Sequence, residues 1–301
     1  MSLLNRVISL TLPGVPKPLV RQFSKRYIAG SSLNDAFEVA RGLGKEGALA
    51  TLGILGEFIH STEEAGANTR AYLDLVRRLA SDHLPGTNVS VKLSALGLLL
   101  DPGLCLENMR RLMTAVQASD SFARIDMEDS RCTTPTLDIY RALRVEFPGR
   151  VGVVLQARLR RTLHDLDDLT LEPANFRLCK GIYLEPRAIA FTDAEIIRRN
   201  FTEALDRMFE RGAYVGIATH DEILIWEALR LIRKHRLARE RYEFQMLLGV
   251  DPELRRILLK GGHRLRVYVP FGEQWYPYSV RRLRENPQIA GYAFRAMFKK
   301  A

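Results

Sequence analysis

Cysteine is scarce in this chain. Cys105, Cys132 and Cys179 form no CxxC pair and no metal-ligand spacing, and their number is odd. A disulfide framework is thereby excluded, and a reduced, cytosolic setting fits. No HExxH occurs and the six histidines are scattered, so a metal centre is not expected. No apolar run approaches the roughly 20 residues of a membrane-spanning helix. The opening MSLLNRVISLTLPGVPKP has a weak apolar patch without a signal-peptide core or cleavage site. Any membrane contact would therefore be peripheral, with the protein cytoplasmic or at the inner membrane face. Low-complexity tracts, long linkers, basic tails and nucleic-acid-binding signatures are all missing. The formal net charge of +10 is spread along the chain. Such a balance permits an anionic membrane surface or a phosphate-bearing cofactor, and nucleic acid is the weaker reading.

What recurs is a short apolar run followed by an amphipathic stretch. Eight runs fit: Ala48–Leu55, Asn88–Ser94, Phe122–Met127, Arg150–Gln156, Phe176–Lys180, Tyr214–Thr219, Tyr242–Leu247 and Leu265–Val269. Between them, Arg70–Ala80, Leu104–Ala118, Asp193–Arg211 and Glu222–His235 have helical periodicity. Strands alternating with helices imply parallel pairing through right-handed crossovers, and eight of them imply a (β/α)8 TIM barrel. An open doubly wound sheet is the alternative. The expected organisation is helical segments over 1–46, packed outside the barrel or capping its bottom, then a single barrel domain over 47–301.

In such a barrel chemistry sits at the carboxyl ends of the strands. Here those ends are polar on nearly every strand: Glu57; Lys92 and Ser94; Asp126, Glu128 and Asp129; Gln156 and Arg158; Arg177, Lys180, Gly181 and Tyr183; Thr219, His220 and Asp221; Gln245; Tyr268. Unpaired burial of such groups costs a few kcal/mol each, so they need partners. Purely structural partners exist. Lys92 and Arg177 could each pair with Asp126, Gln156 and Gln245 could satisfy backbone groups, and His220 could be a hydrogen-bonded core residue. Polar groups repeated at one level of the barrel nevertheless favour a ligand.

The stretch RVYVPFGEQWYPYSVRRLRENP, from Arg266 to Pro287, reads as a strand, a turn and a helix. Helical spacing puts Tyr278, Arg281, Arg282 and Glu285 on one face. Two guanidinium forks suit a carboxylate and the glutamate suits an ammonium, so the patch could grip a small zwitterion. An exposed helix with an i,i+4 ion pair is the bland alternative.

VKLSAL from Val91, IDMED from Ile125, VLQA from Val154, RLCKGIY from Arg177, ATHD from Ala218, EFQMLLG from Glu243 and YSVRRLRENP from Tyr278 stand in the order seen in proline dehydrogenases. The chain resembles a single-function bacterial member of that family from about Glu57 to Pro287. Cys179 and Ile182 depart from the Val and Ala that members often carry, and the segment after Tyr183 is short.

The resemblance implies a distorted (β/α)8 barrel with extra N-terminal helices that binds FAD non-covalently. It implies oxidation of L-proline to Δ1-pyrroline-5-carboxylate, with a hydride passing from proline C5 to flavin N5 and electrons going on to a membrane quinone. Arg281 and Arg282 would clamp the proline carboxylate beside Lys92, with Glu285 near the ring nitrogen. Tyr268, Tyr278 and Leu247 would wall the pyrrolidine, Tyr268 leaving little room for a hydroxyl. Arg177 would donate to flavin N5, and Asp126 would neutralise Arg177 or Lys92 or act as general base. Met127 and Gln156 would touch the isoalloxazine, and Lys180, Gly181, Ile182 and Tyr183 the flavin and ribityl region. Thr219 and His220 would reach the ribityl–pyrophosphate part and Gln245 the adenylate side. Glu57 would pair with Arg281 as a gate. Two rivals remain: a (β/α)8 lyase or aldolase forming a Schiff base on Lys92 or Lys180, and a non-enzymatic scaffold or nucleic-acid binder using the positive charge.

Overall fold

The structure, a computed structural model, describes residues 24–169, 174–276 and 278–279. Arg281, Arg282 and Glu285 lie outside the described residues. In chain order the elements are helix α1 (Leu33–Lys45), β1 (Leu49–Ile54), α2 (Thr62–Asp82), β2 (Asn88–Val91), α3 (Pro102–Ala118), β3 (Ala123–Ile125), α4 (Ser130–Glu146), β4 (Val151–Gln156), α5 (Thr162–Leu169), β5 (Asn175–Cys179), α6 (Ala194–Glu210), β6 (Tyr214–Ala218), α7 (Glu222–Lys234), β7 (Tyr242–Leu247), α8 (Pro252–Lys260) and β8 (Leu265–Phe271). The eight strands are parallel, pair in sequence order, and close through β1–β8 pairing from Leu49↔Arg266 to Ile54↔Phe271. This is a (β/α)8 barrel, and the open sheet is excluded.

The strands alternate with unusual chemistry. Val89, Val91, Ile125, Val153, Leu155, Phe176, Leu178, Val215, Ile217, Phe244, Met246, Val267 and Val269 are buried in the apolar core with the helices. The intervening positions, among them Ser90, Arg124, Arg177, Glu243, Gln245 and Arg266, are buried and polar and bond across the barrel. Successive strand residues point to opposite faces, so the barrel has an apolar jacket and a polar bore. Most parallel strands are apolar on both faces.

The helices start on side-chain caps. Ser32 and Asp35 form a reciprocal capping box on α1, and Asp101, Asp193, Asp221 and Asp251 cap α3, α6, α7 and α8. Helix α2 begins at Thr62, eight residues before the periodicity expected it. Ser61 caps it, Glu63 and Glu64 lie in its first turn, and its early buried face consists of Ala65 and Thr69. A small and a polar residue give no hydrophobic signal. β2 stops at Val91 because Leu93–Leu96 winds into a single 3-10 turn. β8 runs past Val269 through Pro270, with the Pro270 carbonyl accepting from Ala29 N (2.9 Å) and that of Phe271 from Leu55 N (2.8 Å). Helix α1 packs on β1 and β8. After β8, Trp275 and Tyr278 pack with Ile28 and Leu55, which follows β1, so the chain turns over the carboxyl mouth. No helix among the described residues is long and apolar enough to cross a membrane.

Candidate active site

The centre of the site is Arg177 on β5. Its Nη1 donates to Asp126 Oδ1 (2.7 Å) and Ser90 Oγ (3.2 Å), and its Nε to Gln245 Oε1 (2.5 Å). Ser90 in turn donates to Asp126 Oδ1 (2.6 Å). The cluster draws on β2, β5, β7 and the residue after β3, and only a closed barrel brings these together. Its Nη2 is buried with no hydrogen-bond partner among the described residues.

Lys92, just past β2, lies 3.6 Å from Asp126 Oδ2 and donates to the Tyr268 hydroxyl at 3.4 Å. Burial opposes its charge. Tyr268, Asp126, Tyr72 and Glu57 outweigh that and hold its pKa above the usual lysine range. The structural pairing of Asp126 with both Arg177 and Lys92 is thus present, and the donors left over face the question of a ligand. Tyr268 is itself raised, first by burial, and Tyr278 lies near enough to add to the shift. The Tyr268 ring lies over Gly53 of β1, where a Cβ would come within 2.5 Å of the hydroxyl. Glycine at 53 is what lets the ring cross the mouth.

Glu128 receives Ser94 N (2.9 Å) and the Ser94 hydroxyl, and Ser94 Oγ accepts from Phe58 N (3.0 Å), next to Glu57. Burial pushes the Glu128 carboxyl up to about 7, against the Ser94 bonds and Lys92. Gln156 closes this side by donating to the Glu128 carbonyl (2.8 Å). Gly181, at φ +93, folds against Gln156 so closely that a Cβ would lie 2.6 Å from its Oε1.

On the far rim Lys180 pairs with Asp221 Oδ2 (2.9 Å), which also receives Arg198 Nε (2.8 Å). Burial opposes ionisation of Asp221, but these two cations hold its carboxyl below the usual range. Thr219 Oγ1 accepts from Asp221 N (3.0 Å), and His220 Nε2 accepts from Leu247 N (3.0 Å). Arg158 Nη1 donates to the Tyr183 carbonyl (2.9 Å), and its Nε is buried without a partner among the described residues. Glu57, Lys180, Gly181, Ile182, Tyr183, His220 and Leu247 are all half-buried, as the rim of a mouth should be. Met127 is buried in the main apolar core.

Gln245 is only 6% exposed and lies inside the barrel, its amide engaged with Arg177 and Glu243. Asp126 is surrounded by the Arg177, Ser90 and Lys92 donors, which suits a charge-neutralising group better than a base. Ser90 and Gly53 were not singled out from sequence, because a small strand residue carries no signal of what reaches it across a barrel. A cavity of about 540 Å3 also opens at the opposite, amino-terminal end, lined by Arg124, Tyr214, Glu243 and Arg266 among others. In this fold that end serves stability and the carboxyl end serves chemistry.

The family model described as Proline dehydrogenase matches residues 36–293. The chain belongs to the proline dehydrogenase family. It is 36% identical over 275 residues to proline dehydrogenase 2 of Bacillus subtilis (strain 168), covering 91% of this chain and 90% of that protein. It is 35% identical over 285 residues to a proline dehydrogenase of Deinococcus radiodurans, covering 92% and 90%. Among solved structures it resembles proline utilization A from Bdellovibrio bacteriovorus inactivated by N-propargylglycine, with TM-score 0.83 and 26% identity. That match covers 88% of this chain and 33% of the other, so the chain spans about a third of that larger protein. Proline utilization A of Bradyrhizobium japonicum, at TM-score 0.76 and 20% identity, shares the fold. Members of the proline dehydrogenase family are oxidoreductases, and the polar bore and mouth lie within the matched residues.

Proposed function

We propose that the chain oxidises L-proline to Δ1-pyrroline-5-carboxylate with non-covalently bound FAD at the carboxyl mouth, and that the electrons pass to a membrane quinone during peripheral contact at the inner membrane face. One observation carries the reading. Arg177 has its Nε and Nη1 engaged, and its Nη2 is buried without an acceptor among the described residues. A buried donor left unmade costs about 1–3 kcal/mol. An acceptor atom of a bound flavin ring would remove that cost, and the buried Arg158 Nε adds a second such donor at the same mouth. When bound, FAD supplies the hydride acceptor for proline C5.

The chain's own residues do the rest. Arg177 is the donor to the flavin, and Asp126 neutralises it. Gln156, Met127, Lys180, Gly181, Ile182, Tyr183, Thr219 and His220 shape the cofactor's seat. Lys92 keeps its charge, and with Arg281 and Arg282 it attracts the substrate carboxylate. The same three cations lower the pKa of the proline ammonium by like-charge repulsion, which favours the neutral amine that hydride loss needs. Tyr268, Tyr278 and Leu247 would wall the ring, with Glu285 the expected partner of its nitrogen and Glu57 the expected gate with Arg281.

The Schiff-base alternative needs a neutral lysine amine. Lys92 is held protonated and Lys180 is in an ion pair with Asp221, so neither offers one. The test is to purify the protein and add L-proline without oxygen. A yellow protein whose flavin absorption bleaches supports the proposal. A colourless protein trapped by borohydride with a ketone would establish the lyase instead.

A further inference from the structure

We infer that Glu243 is a positioning residue for proline oxidation, acting through the side-chain amide of Gln245 to aim Arg177 at the cofactor. This rests on the flavin reading above. Glu243 and Gln245 are two apart on β7, so both point into the barrel. Glu243 is 2% exposed and receives four donors: Arg266 Nε (2.7 Å) and Gln245 Nε2 (2.6 Å) on Oε1, Arg266 Nη2 (3.0 Å) and the Tyr214 hydroxyl (2.9 Å) on Oε2. Burial opposes its ionisation, but Arg266 and these hydrogen bonds bring its pKa down to about 2.

An ionised carboxylate can only accept hydrogen bonds. Gln245 must therefore turn its NH2 towards Glu243, which leaves its carbonyl oxygen towards Arg177 Nε. The flipped amide would set oxygen against carboxylate and NH2 against guanidinium, with neither bond made. Glu243 thus fixes the amide, and the amide fixes one edge of Arg177. Asp126 and Ser90 hold Nη1. A planar guanidinium held at Nε and Nη1 has the direction of Nη2 determined, and Nη2 is the donor without a partner among the described residues. Arg266 completes the anchor by donating to the carbonyls of Ala50 (2.7 Å) and Gly86 (2.5 Å). The chain of bonds therefore runs from the floor of the barrel to its mouth.

The test compares wild type with Glu243→Gln, which keeps the shape of the side chain and removes its acceptor-only character. Flavin reduction by proline under anaerobic mixing should fall by about tenfold or more, since small misplacements of a positioned group cost that much. Half-saturation by proline and bound FAD per chain should stay within about twofold. In protein without proline, the Arg177 Nε–H resonance should be sharp and slow to exchange in wild type and should broaden in the variant. A loosened barrel alone would lower the melting temperature and the FAD content and leave both readouts of the loaded fraction unchanged, which would overturn the inference. If Glu243→Gln fails to fold because Arg266 is left unpaired, Glu243→Gln with Arg266→Met removes both charges and the same two outcomes apply. Should proline fail to bleach wild type itself, the flavin reading falls, while the resonance still reports on the relay.

Discussion

Replacing Gly53 by alanine is the sharpest structural perturbation of the substrate side. A methyl group there would lie 2.5 Å from the Tyr268 hydroxyl, 2.7 Å from Cε2 and 2.8 Å from Cζ. Ordinary contact is about 3.5 Å, so the ring must retreat by roughly an ångström. It is not free to do so at no cost, because its hydroxyl accepts from Lys92 at 3.4 Å and its β8 backbone is pinned opposite Thr51 and Leu247. Overpacking of this kind costs about 1–3 kcal/mol. The displaced ring also enters the space assigned to the pyrrolidine. Urea denaturation should show that loss of stability, and half-saturation by proline should rise by about tenfold for each 1.4 kcal/mol of lost contact. In a Tyr268→Ser background the methyl meets no ring, and the same substitution should cost close to nothing. Equal costs in the two backgrounds would refute the placement of the ring over Gly53, because coupled neighbours do not add.

Arg177→Met should slow flavin reduction by about 100-fold while weakening proline binding far less, read by single-turnover kinetics against equilibrium titration; normal reduction kinetics would remove Arg177 from the cofactor. Tyr268→Ser should narrow the preference for proline over hydroxyproline, and an unchanged ratio of kcat/KM values would mean that the ring is not the filter. Glu128 has its pKa raised from 4.5 to about 7, first by burial. The native state therefore holds the extra proton between those values, and the contribution is full below about pH 4.5 and lost as pH rises through 7. Glu128→Gln should flatten that fall in denaturation midpoints, and a persisting fall would assign it elsewhere. Glu243 has the opposite sign, its contribution being full above about 4.5 and lost as pH falls towards 2. Arg282→Met should raise the KM for proline with FAD retained, and an unchanged KM would take Arg282 out of the carboxylate clamp.

Much of the barrel was legible because its jacket is regular. Val89, Val91, Val153, Leu155, Val215 and Ile217 sit in the short apolar runs that mark strands, and helical periodicity marks stretches such as α6 and α7. The early turns of α2 escaped because Ala65 and Thr69 form its buried face. Pro270 hid the end of β8 because a residue without an N–H reads as a break. At the mouth, the charged residues announced themselves as polar groups in apolar strands. Asp126 was legible as the partner of Arg177 and Lys92, but the small and neutral partners were not. Ser90 is one hydroxyl among many until Arg177 reaches it from the far side of the barrel. Glu243 opens the EFQMLLG motif, and only the fold shows that Gln245 stands between it and Arg177. Long-range pairs of this sort are a property of closure and leave no trace in local spacing.

The most direct measurement is a crystal structure of the flavin-loaded protein. The account predicts that Arg177 Nη2 lies about 2.7–3.2 Å from an acceptor atom of the flavin ring, with Asp126, Ser90 and Gln245 still on its other two nitrogens. A flavin bound elsewhere, or an Nη2 that meets only water in the loaded enzyme, would contradict it.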